Sequence, residues 1–232
     1  MKSYDYIAEN EDILLDLPLR EGVGVITTDH AKPHHPVTLA NAPTWTAEAS
    51  GLGVLSFDGV NQYGQILAAN SADLDFTSGD YSIGAWFYYD TNTILSQLIA
   101  GKYEVSVRGW ELYTTESGSL RYLSLRHHHA GGTLTRSSAY SLGWEFLKWW
   151  FMGVSRSGAD CQMYRNGAAI ETISALENPE SSAAKDVVIG TRYTKDTNFL
   201  KGKLWRPRIW SRALSADEWA TIFEKERDFF GV

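Results

Sequence analysis

Acidic side chains that could serve as a catalytic pair do not occur together on any strand-like segment of this sequence. A glycosidase needs two carboxylates, about 5–5.5 Å apart for retention or about 6.5–9.5 Å apart for inversion. No segment has the Glu-x-Asp-x-Glu alternation that would place such a pair on one strand face. The acids at 9–12 lie near the start of the chain, and Glu104 and Glu111 are isolated. We interpret all of them as solvated surface groups.

Nucleophilic and nucleotide chemistry have no better candidates. The segment Gly153–Ser157 lacks the second glycine of a nucleophile elbow, and no glycine-rich phosphate loop opens a helix. The sequence therefore favours a protein that binds and does not catalyse.

Six histidines raise the question of a metal site. Within the His127-His128-His129 triplet only His127 and His129 could share a metal, because successive strand residues point to opposite faces. His34 and His35 lie in a loop flanked by prolines, and no second cluster completes a ligand set. We interpret the triplet as a solvated strand end whose imidazoles could also bond a sugar or a protein near pH ~6.5.

The positive argument for binding comes from aromatic residues, since 9 Trp and 12 Tyr exceed the needs of one sandwich core. Indole and phenol rings stack on sugar C–H groups while their polar tips stay wet. Trp86, Trp149 and Phe151 are expected in the core. The residues predicted to face a ligand, with core packing as the alternative for the first of them, are Trp110, Tyr113, Tyr122, Arg126, His127 and His129.

Charge and composition exclude several partners. The formal charge of −7 repels phosphate backbones and anionic lipids, so nucleic acid is not expected. No stretch approaches the roughly 20 apolar residues that cross a bilayer, and residues 1–10 lack a signal-peptide pattern. The single cysteine, Cys161, is predicted to be a buried thiol on a strand. No glycosylation sequon occurs, which favours a bacterial or viral origin.

Short aromatic and β-branched runs between turn residues predict an antiparallel β-sandwich. Asn166-Gly167 predicts a type I′ hairpin between Cys161–Arg165 and Ala169–Ser174, and the loop 115–119 predicts a hairpin between Trp110–Thr114 and Leu120–Arg126. One late helix is predicted from the Ser215–Glu218 capping box. We expect an N-terminal arm at 1–12 and a single domain at 13–232.

Several motifs occur in the order typical of one family: Asp16–Gly24, Leu55–Tyr63, Tyr81–Phe87, Tyr164–Gly167, Phe199–Gly202 and Arg208–Ser215. They resemble the laminin G-like branch of the concanavalin A-like lectin and glucanase domains. The resemblance implies an all-β jelly roll with one short C-terminal helix. It also implies a role among carbohydrate binders, adhesion domains, virion proteins and polysaccharide-cleaving enzymes. The paired Arg, Gln-x-His and Tyr motifs of the lyase-like branch are not matched.

Calcium is the ion that the resemblance implies, since this family holds it with carboxylate and carbonyl oxygens. The candidate ligands are Asp29, Asp58 and Asn61, with turn capping as the alternative. The sequence departs from the family at Gln62, where an acid is usual, and at Trp205-Arg206, where an acidic pair is usual.

Two hypotheses follow for the function. The chain is a lectin-like module for a cell-surface or extracellular glycan, displayed on a bacteriophage virion or outside the cell. Alternatively, it is a structural virion protein, such as a capsid decoration or a tail appendage, in contact with other virion proteins or with copies of itself as a homo-oligomer.

Overall fold

A computed structural model describes residues 12–90, 96–117, 120–129, 131–139 and 145–232, which form two antiparallel sheets. The first sheet runs, in spatial order, through β14 (Ala168–Ile173), β13 (Asp160–Arg165), β12 (Trp149–Ser157), β7 (Tyr81–Tyr89), β16 (Lys201–Trp210), β5 (Gly53–Asp58) and β4 (Thr44–Ala47), and β1 (Ile13–Asp16) pairs with β16. The second runs through β11 (Gly132–Ala139), β10 (Leu120–His129), β9 (Arg108–Ser117), β8 (Ser96–Glu104), β15 (Val187–Ile189), β6 (Tyr63–Ile66), β3 (Pro36–Ala40) and β2 (Ile26–Thr28).

The helical part of the described chain is small. It consists of one α-helix, α1 (Ala216–Glu226), and three short 3-10 turns at Ala68–Asn70, Ala72–Leu74 and Arg227–Phe229. The predicted all-β sandwich with a single C-terminal helix is confirmed. The arm predicted at 1–12 lies outside the described residues apart from Asp12, so the predicted domain boundary stays a prediction.

The main core lies between the two sheets and follows the period of two that strands impose. On β10, Leu123 and Leu125 point inward and are at most 2% exposed, and Trp110 and Leu112 do the same on β9. The alternate residues of both strands therefore lie on the outer face of the second sheet. Cys161 is buried in this core, as predicted.

A second core covers the outer face of the first sheet, where α1 packs. The Ser215 side chain accepts from the Glu218 amide, and the Glu218 carboxylate accepts from the Ser215 amide, so the predicted capping box is confirmed. Trp219 then lies on the sheet, 5.4 Å from Phe151 between ring centroids. This layer also buries Trp86, Trp149 and Trp210. The tryptophan excess thus serves two hydrophobic cores.

Two facing glycines make room for the helix. Gly84 on β7 pairs with Gly153 on β12, and the Trp219 ring lies over both. A Cβ atom at Gly153 would stand 2.2 Å from the Trp219 ring and 2.5 Å from the carbonyl oxygen of Ile83, which is closer than atoms approach. The helix can dock here only because both positions lack a side chain.

We therefore expect Gly153→Ala to lower the free energy of unfolding by about 1–3 kcal/mol, the usual cost of overpacking. The matched control is Gly132→Ala, whose Cβ would meet only the His129 ring at 3.8 Å. Chemical denaturation of both variants measures the difference. Equal stability of the two variants would show that α1 is not seated on these glycines.

Both predicted hairpins are present. Asn166 and Gly167 have φ of 48° and 76°, as a type I′ turn requires, between β13 and β14. Strands β9 and β10 pair as predicted, but they extend to Ser117 and Leu120, which are register partners. Gly118, on which that prediction depended, lies outside the described residues.

Candidate functional site

A cavity of about 210 Å³ opens on the outer face of the second sheet. Strands β8, β9 and β10 and the segment after β15 supply its walls, and Leu98 and Tyr103 supply apolar surface. Its polar lining residues, which define what we call the outer-face pocket, are Ser96, Glu111, Tyr113, Arg126, Arg192 and Asn198. It is smaller than the roughly 300–1,000 Å³ pockets that hold drug-sized ligands, so one small group would fill it.

Glu111 is the charged centre of the pocket wall and is only 4% exposed. Its Oε1 atom accepts from Arg126 at 3.0 Å and from His128 Nε2 at 3.1 Å, and its carboxylate accepts from the Tyr103 hydroxyl. Burial, reinforced by this carboxylate, raises the pKa of Tyr103 well above its usual range, so Tyr103 stays a donor. Three donors therefore hold Glu111, and its interpretation as a solvated surface group is wrong.

The protonation of His128 follows from its second contact. Its Nδ1 atom accepts from the Ser106 amide at 3.2 Å, so the proton of the neutral ring is on Nε2, where it is donated to Glu111. The ring stacks on Tyr103 at 4.9 Å between centroids. His128 thus contributes a hydrogen bond and no charge, and the charge of Glu111 is balanced by Arg126.

Arg126 joins the acid to the aromatic side of the pocket. Its guanidinium carbon is 4.7 Å from the centroid of the Tyr113 ring, and one of its nitrogens donates to the Tyr113 hydroxyl. Arg126 is directly opposite Glu111 in the strand register. Its side chain is 30% exposed, so the guanidinium is accessible from the pocket although its position is fixed.

The six residues predicted to face a ligand do not share one site. The placement of Trp110 and His127 on a surface is corrected, since both are 0% exposed on the inner face. The Trp110 indole donates to the Leu74 carbonyl at 2.9 Å, which makes it a core residue. Burial of His127 and His128 also overturns the interpretation of the triplet as a solvated strand end.

Tyr113 and Arg126 line the outer-face pocket, and their role in binding stays a prediction. Tyr122 shares the outer face with Arg126 but lies four residues along β10, about 13 Å away at strand spacing. His129 is at the strand end, 3.3 Å from the Glu177 carboxylate, and is not part of the pocket. Ser96, Tyr103, Arg192 and Asn198 were not predicted, because the topology alone brings them together.

Two of the three calcium candidates, Asp29 and Asp58, already accept hydrogen bonds from backbone amides. The buried Asp29 carboxylate accepts from the amides of Asp16, Ala31 and His35 and from the His35 ring. Asp58 Oδ1 accepts from the amides of Val60 and Asn61, an Asx turn.

The candidate ligands are also not assembled into one site. Asp58 and Asn61 share the turn after β5, whereas Asp29 follows β2 in the other sheet. No group of three or more His, Cys, Asp or Glu that could hold a metal occurs in the described ranges. Calcium binding stays a prediction.

The two departures from the family pattern have structural partners. Gln62 Oε1 accepts from the Asp58 amide, so the amide side chain closes the turn. Arg206 has φ of 50° at an irregularity in β16, and its guanidinium bonds both oxygens of Asp16 at 2.9 and 3.0 Å. Arg206 therefore belongs to an ion-pair network between β1, β16 and α1.

A second, shallower groove lies at one end of the sandwich. Its lining includes Gly79, Arg156, Gly158, Glu177 and Asn178. Arg156 is 2% exposed, donates to the Gly79 carbonyl at 2.8 Å and also to the Asn178 side chain. These bonds tie two loops to β12, which accounts for the arginine structurally.

The described residues form a two-sheet jelly roll with a polar pocket on the outer face of the second sheet. The family model described as the concanavalin A-like lectin/glucanases superfamily matches residues 58–219. The chain therefore belongs to this laminin G-like family, which confirms the resemblance found in the sequence. No curated protein matches the chain.

Solved structures show the same fold at low identity. The botulinum neurotoxin serotype G binding domain has a TM-score of 0.70 at 16% identity, over 92% of this chain and 51% of that one. The binding domain of botulinum neurotoxin DC, solved in complex with rat synaptotagmin II, has a TM-score of 0.69 at 13% identity, over 94% and 52%.

A third structure concerns botulinum neurotoxin type C, whose cell entry depends on interaction with two ganglioside molecules. It has a TM-score of 0.68 at 14% identity, over 93% of this chain and 52% of that one. Our chain thus spans about half the length of these structures, and the likeness establishes the fold. No helix in the described ranges is long and apolar enough to cross a membrane.

Proposed function

We propose that this chain is a non-catalytic carbohydrate-binding domain whose ligand occupies the outer-face pocket. The observation that carries the proposal is the pocket itself, where arginine, asparagine, serine and tyrosine side chains converge on about 210 Å³. Such groups bond hydroxyls, and a few convergent polar groups in a preformed cavity are typical of small-ligand sites. Membership of a lectin and glucanase superfamily and the ganglioside interaction of a similar structure support it.

The chemistry of Glu111 separates this proposal from the glucanase alternative. Hydrolysis of a glycosidic bond uses two carboxyl groups, one of them free to donate or accept a proton. Glu111 is the acidic residue among the described lining residues, and three donors hold its carboxylate. A carboxylate fixed in this way anchors Arg126, which in turn presents its guanidinium to a ligand.

The first experiment applies the whole chain to a broad glycan array and measures the affinity of each hit by calorimetry. We expect at least one saccharide to bind, and we expect Ser96→Phe to weaken it at least tenfold by filling the pocket. Ser96 is half-buried, and its replacement removes no ion pair. The matched control is Ser157→Phe, beside the groove that Arg156 lines.

Two results would overturn the proposal. One is the absence of binding to every saccharide of the array, and the other is loss of binding in Ser157→Phe with full binding in Ser96→Phe. If Ser96→Phe fails to fold, Tyr113→Phe replaces it, since it removes only the hydroxyl that accepts from Arg126. We expect that change to weaken binding about threefold to tenfold, the value of roughly one hydrogen bond. Unchanged affinity would then count against the pocket.

Calcium and the biological setting extend the proposal. The array is run with calcium and with chelator, because Asp58 and Asn61 remain candidate ligands. Placement of the domain on a virion or in the extracellular space stays part of the proposal. A purely structural role without sugar binding is the alternative, which an array without any bound saccharide would favour.

A further inference from the structure

We infer that the outer-face pocket selects a saccharide carrying an anionic group, a carboxylate or a sulfate, and that Arg192 binds this group. The inference rests on the proposed function and specifies its ligand class. It starts from the charges that line the pocket, which are two arginines and one glutamate.

Two of these three charges cancel each other. Arg126 and Glu111 are joined at 3.0 Å and face each other across β9 and β10. His128, which also forms a hydrogen bond with Glu111, is neutral because its Nδ1 atom accepts from the Ser106 amide. Tyr103 is held protonated by burial. The guanidinium of Arg192 is therefore the charge that remains.

Arg192 has no ion pair or hydrogen bond through its side chain within the part of the chain that the structure describes. The guanidinium carbon of Arg192 lies 5.7 Å from the centroid of the Tyr193 ring. This cation–π contact is the one that the Arg192 side chain makes among the described residues. The nearby Lys195 is already paired, with Asp186 at 2.9 Å. Arg192 is half-buried, so its charge is partly withdrawn from water without being neutralised.

The backbone holds this arginine in place. The Arg192 amide donates to the Thr197 carbonyl at 3.2 Å, and the Arg192 carbonyl accepts from the Lys195 amide at 2.8 Å. Both the amide and the carbonyl of Arg192 are therefore held by hydrogen bonds within the turn that follows β15. A ligand then has to order only the side chain, which lowers the entropic cost of binding.

The charge of the whole molecule makes this local excess significant. The chain carries a formal charge of −7, so a positive pocket is not part of a generally basic surface. A guanidinium forms two parallel, charge-assisted hydrogen bonds with a carboxylate or sulfate, and these are roughly twice as strong as neutral ones. A neutral sugar hydroxyl has no negative charge and cannot form this pair of charge-assisted hydrogen bonds with the guanidinium.

The test compares matched saccharides by calorimetry. One pair is a uronic acid oligosaccharide and its carboxyl-reduced form, and the other is a sulfated oligosaccharide and its unsulfated form. We expect the intact chain to bind the anionic member of at least one pair about 10- to 100-fold more tightly, the value of a charged hydrogen bond. The pair that shows the larger ratio identifies the anionic group.

Arg192→Gln should abolish this preference by weakening binding of the anionic member at least tenfold more than binding of the neutral member. The matched control is Arg165→Gln, which changes the net charge equally but lies on β13 of the other sheet, beside Trp150. It should keep the full preference. The Tm of each variant is measured first to establish that it folds. If Arg192→Gln does not fold, Arg192→Lys replaces it. This variant keeps the positive charge and should retain part of the preference.

The outcomes separate this inference from the proposed function. Equal affinity for anionic and neutral members in the intact chain, or a preference that survives Arg192→Gln, overturns the inference and leaves carbohydrate binding standing. Failure of both members of both pairs and of the whole array to bind overturns the proposed function as well.

Discussion

Glu226→Gln is expected to lower the free energy of unfolding by about 3–5 kcal/mol, the usual cost of breaking a buried ion pair from one side. Glu226 ends α1, and its carboxylate accepts from Arg206, from both terminal nitrogens of Arg208 and from the Trp86 indole, all at 2.8–2.9 Å. Glutamine would offer one oxygen and turn an amide group toward a guanidinium. Arg208, which is only 4% exposed, would then keep its positive charge without an anionic partner at position 226.

The matched control is Glu224→Gln in the same helix. Glu224 is 62% exposed and pairs with Arg227 at 3.3 Å, so we expect a loss of less than about 1 kcal/mol. Denaturant titration of both variants measures the contrast. Similar losses for the two would mean that α1 is not pinned to the sheet through Glu226.

Acidification is expected to remove about 3 kcal/mol of stability through His127 alone. Burial lowers the pKa of His127 to about 4 from an ordinary value of 6.5, although the hydrogen bond to the Glu177 carbonyl opposes this shift. The ring is neutral, with Nδ1 donating to that carbonyl at 2.6 Å and Nε2 accepting from the Tyr81 hydroxyl at 2.5 Å. The unfolded chain takes up a proton first, so stability is full above pH 6.5 and falls as the pH drops toward 4.

His35 acts in the opposite direction and must be separated. Burial opposes its charge, but hydrogen bonds to Asp29 and Asp73 raise its pKa, so its contribution is full below pH 6.5 and is lost as the pH rises through the raised value. The contribution of His35 is the same in the intact chain and in His127→Gln, so it cancels when the unfolding free energy of one is subtracted from that of the other. That difference should shrink by about 3 kcal/mol from pH 6.5 to 4.

The matched control is His129→Gln, which replaces a histidine at the partly exposed end of the same strand and leaves the buried His127 ring in place. An NMR titration of the His127 ring in the intact chain gives a second measure that requires no variant. A ring that titrates near pH 6.5, or a difference that stays constant with pH, would contradict burial of a neutral His127.

The sandwich could be predicted from sequence because its signals are local. The Asn166-Gly167 turn and the Ser215–Glu218 capping box each specify backbone geometry within a few residues, and both are present as predicted. Trp86 and Trp149 are buried, as predicted, in a second core that Trp219 of α1 completes. Trp110, one of the aromatic residues predicted to face a ligand, is instead buried between the sheets.

The pocket could not be predicted, because it depends on register and topology. The expected hairpin ended at Thr114 and Leu120, whereas Ser117 pairs with Leu120, a shift of three residues that changes every cross-strand partner. Only the observed register sets Glu111 opposite Arg126 and leaves Trp110 on the inner face. Arg192 reaches the pocket through the pairing of β15 with β8, which joins segments distant in sequence. No local motif encodes that contact.

The most direct test of the central claim is to map where a saccharide binds. Amide NMR spectra of the whole chain are recorded during titration with the tightest saccharide from the array. Binding at the outer-face pocket predicts shifts concentrated at Ser96, Glu111, Tyr113, Arg126 and Arg192. Shifts concentrated at residues 156–159 and 175–178 instead, or no shifts at a saturating concentration, would contradict it.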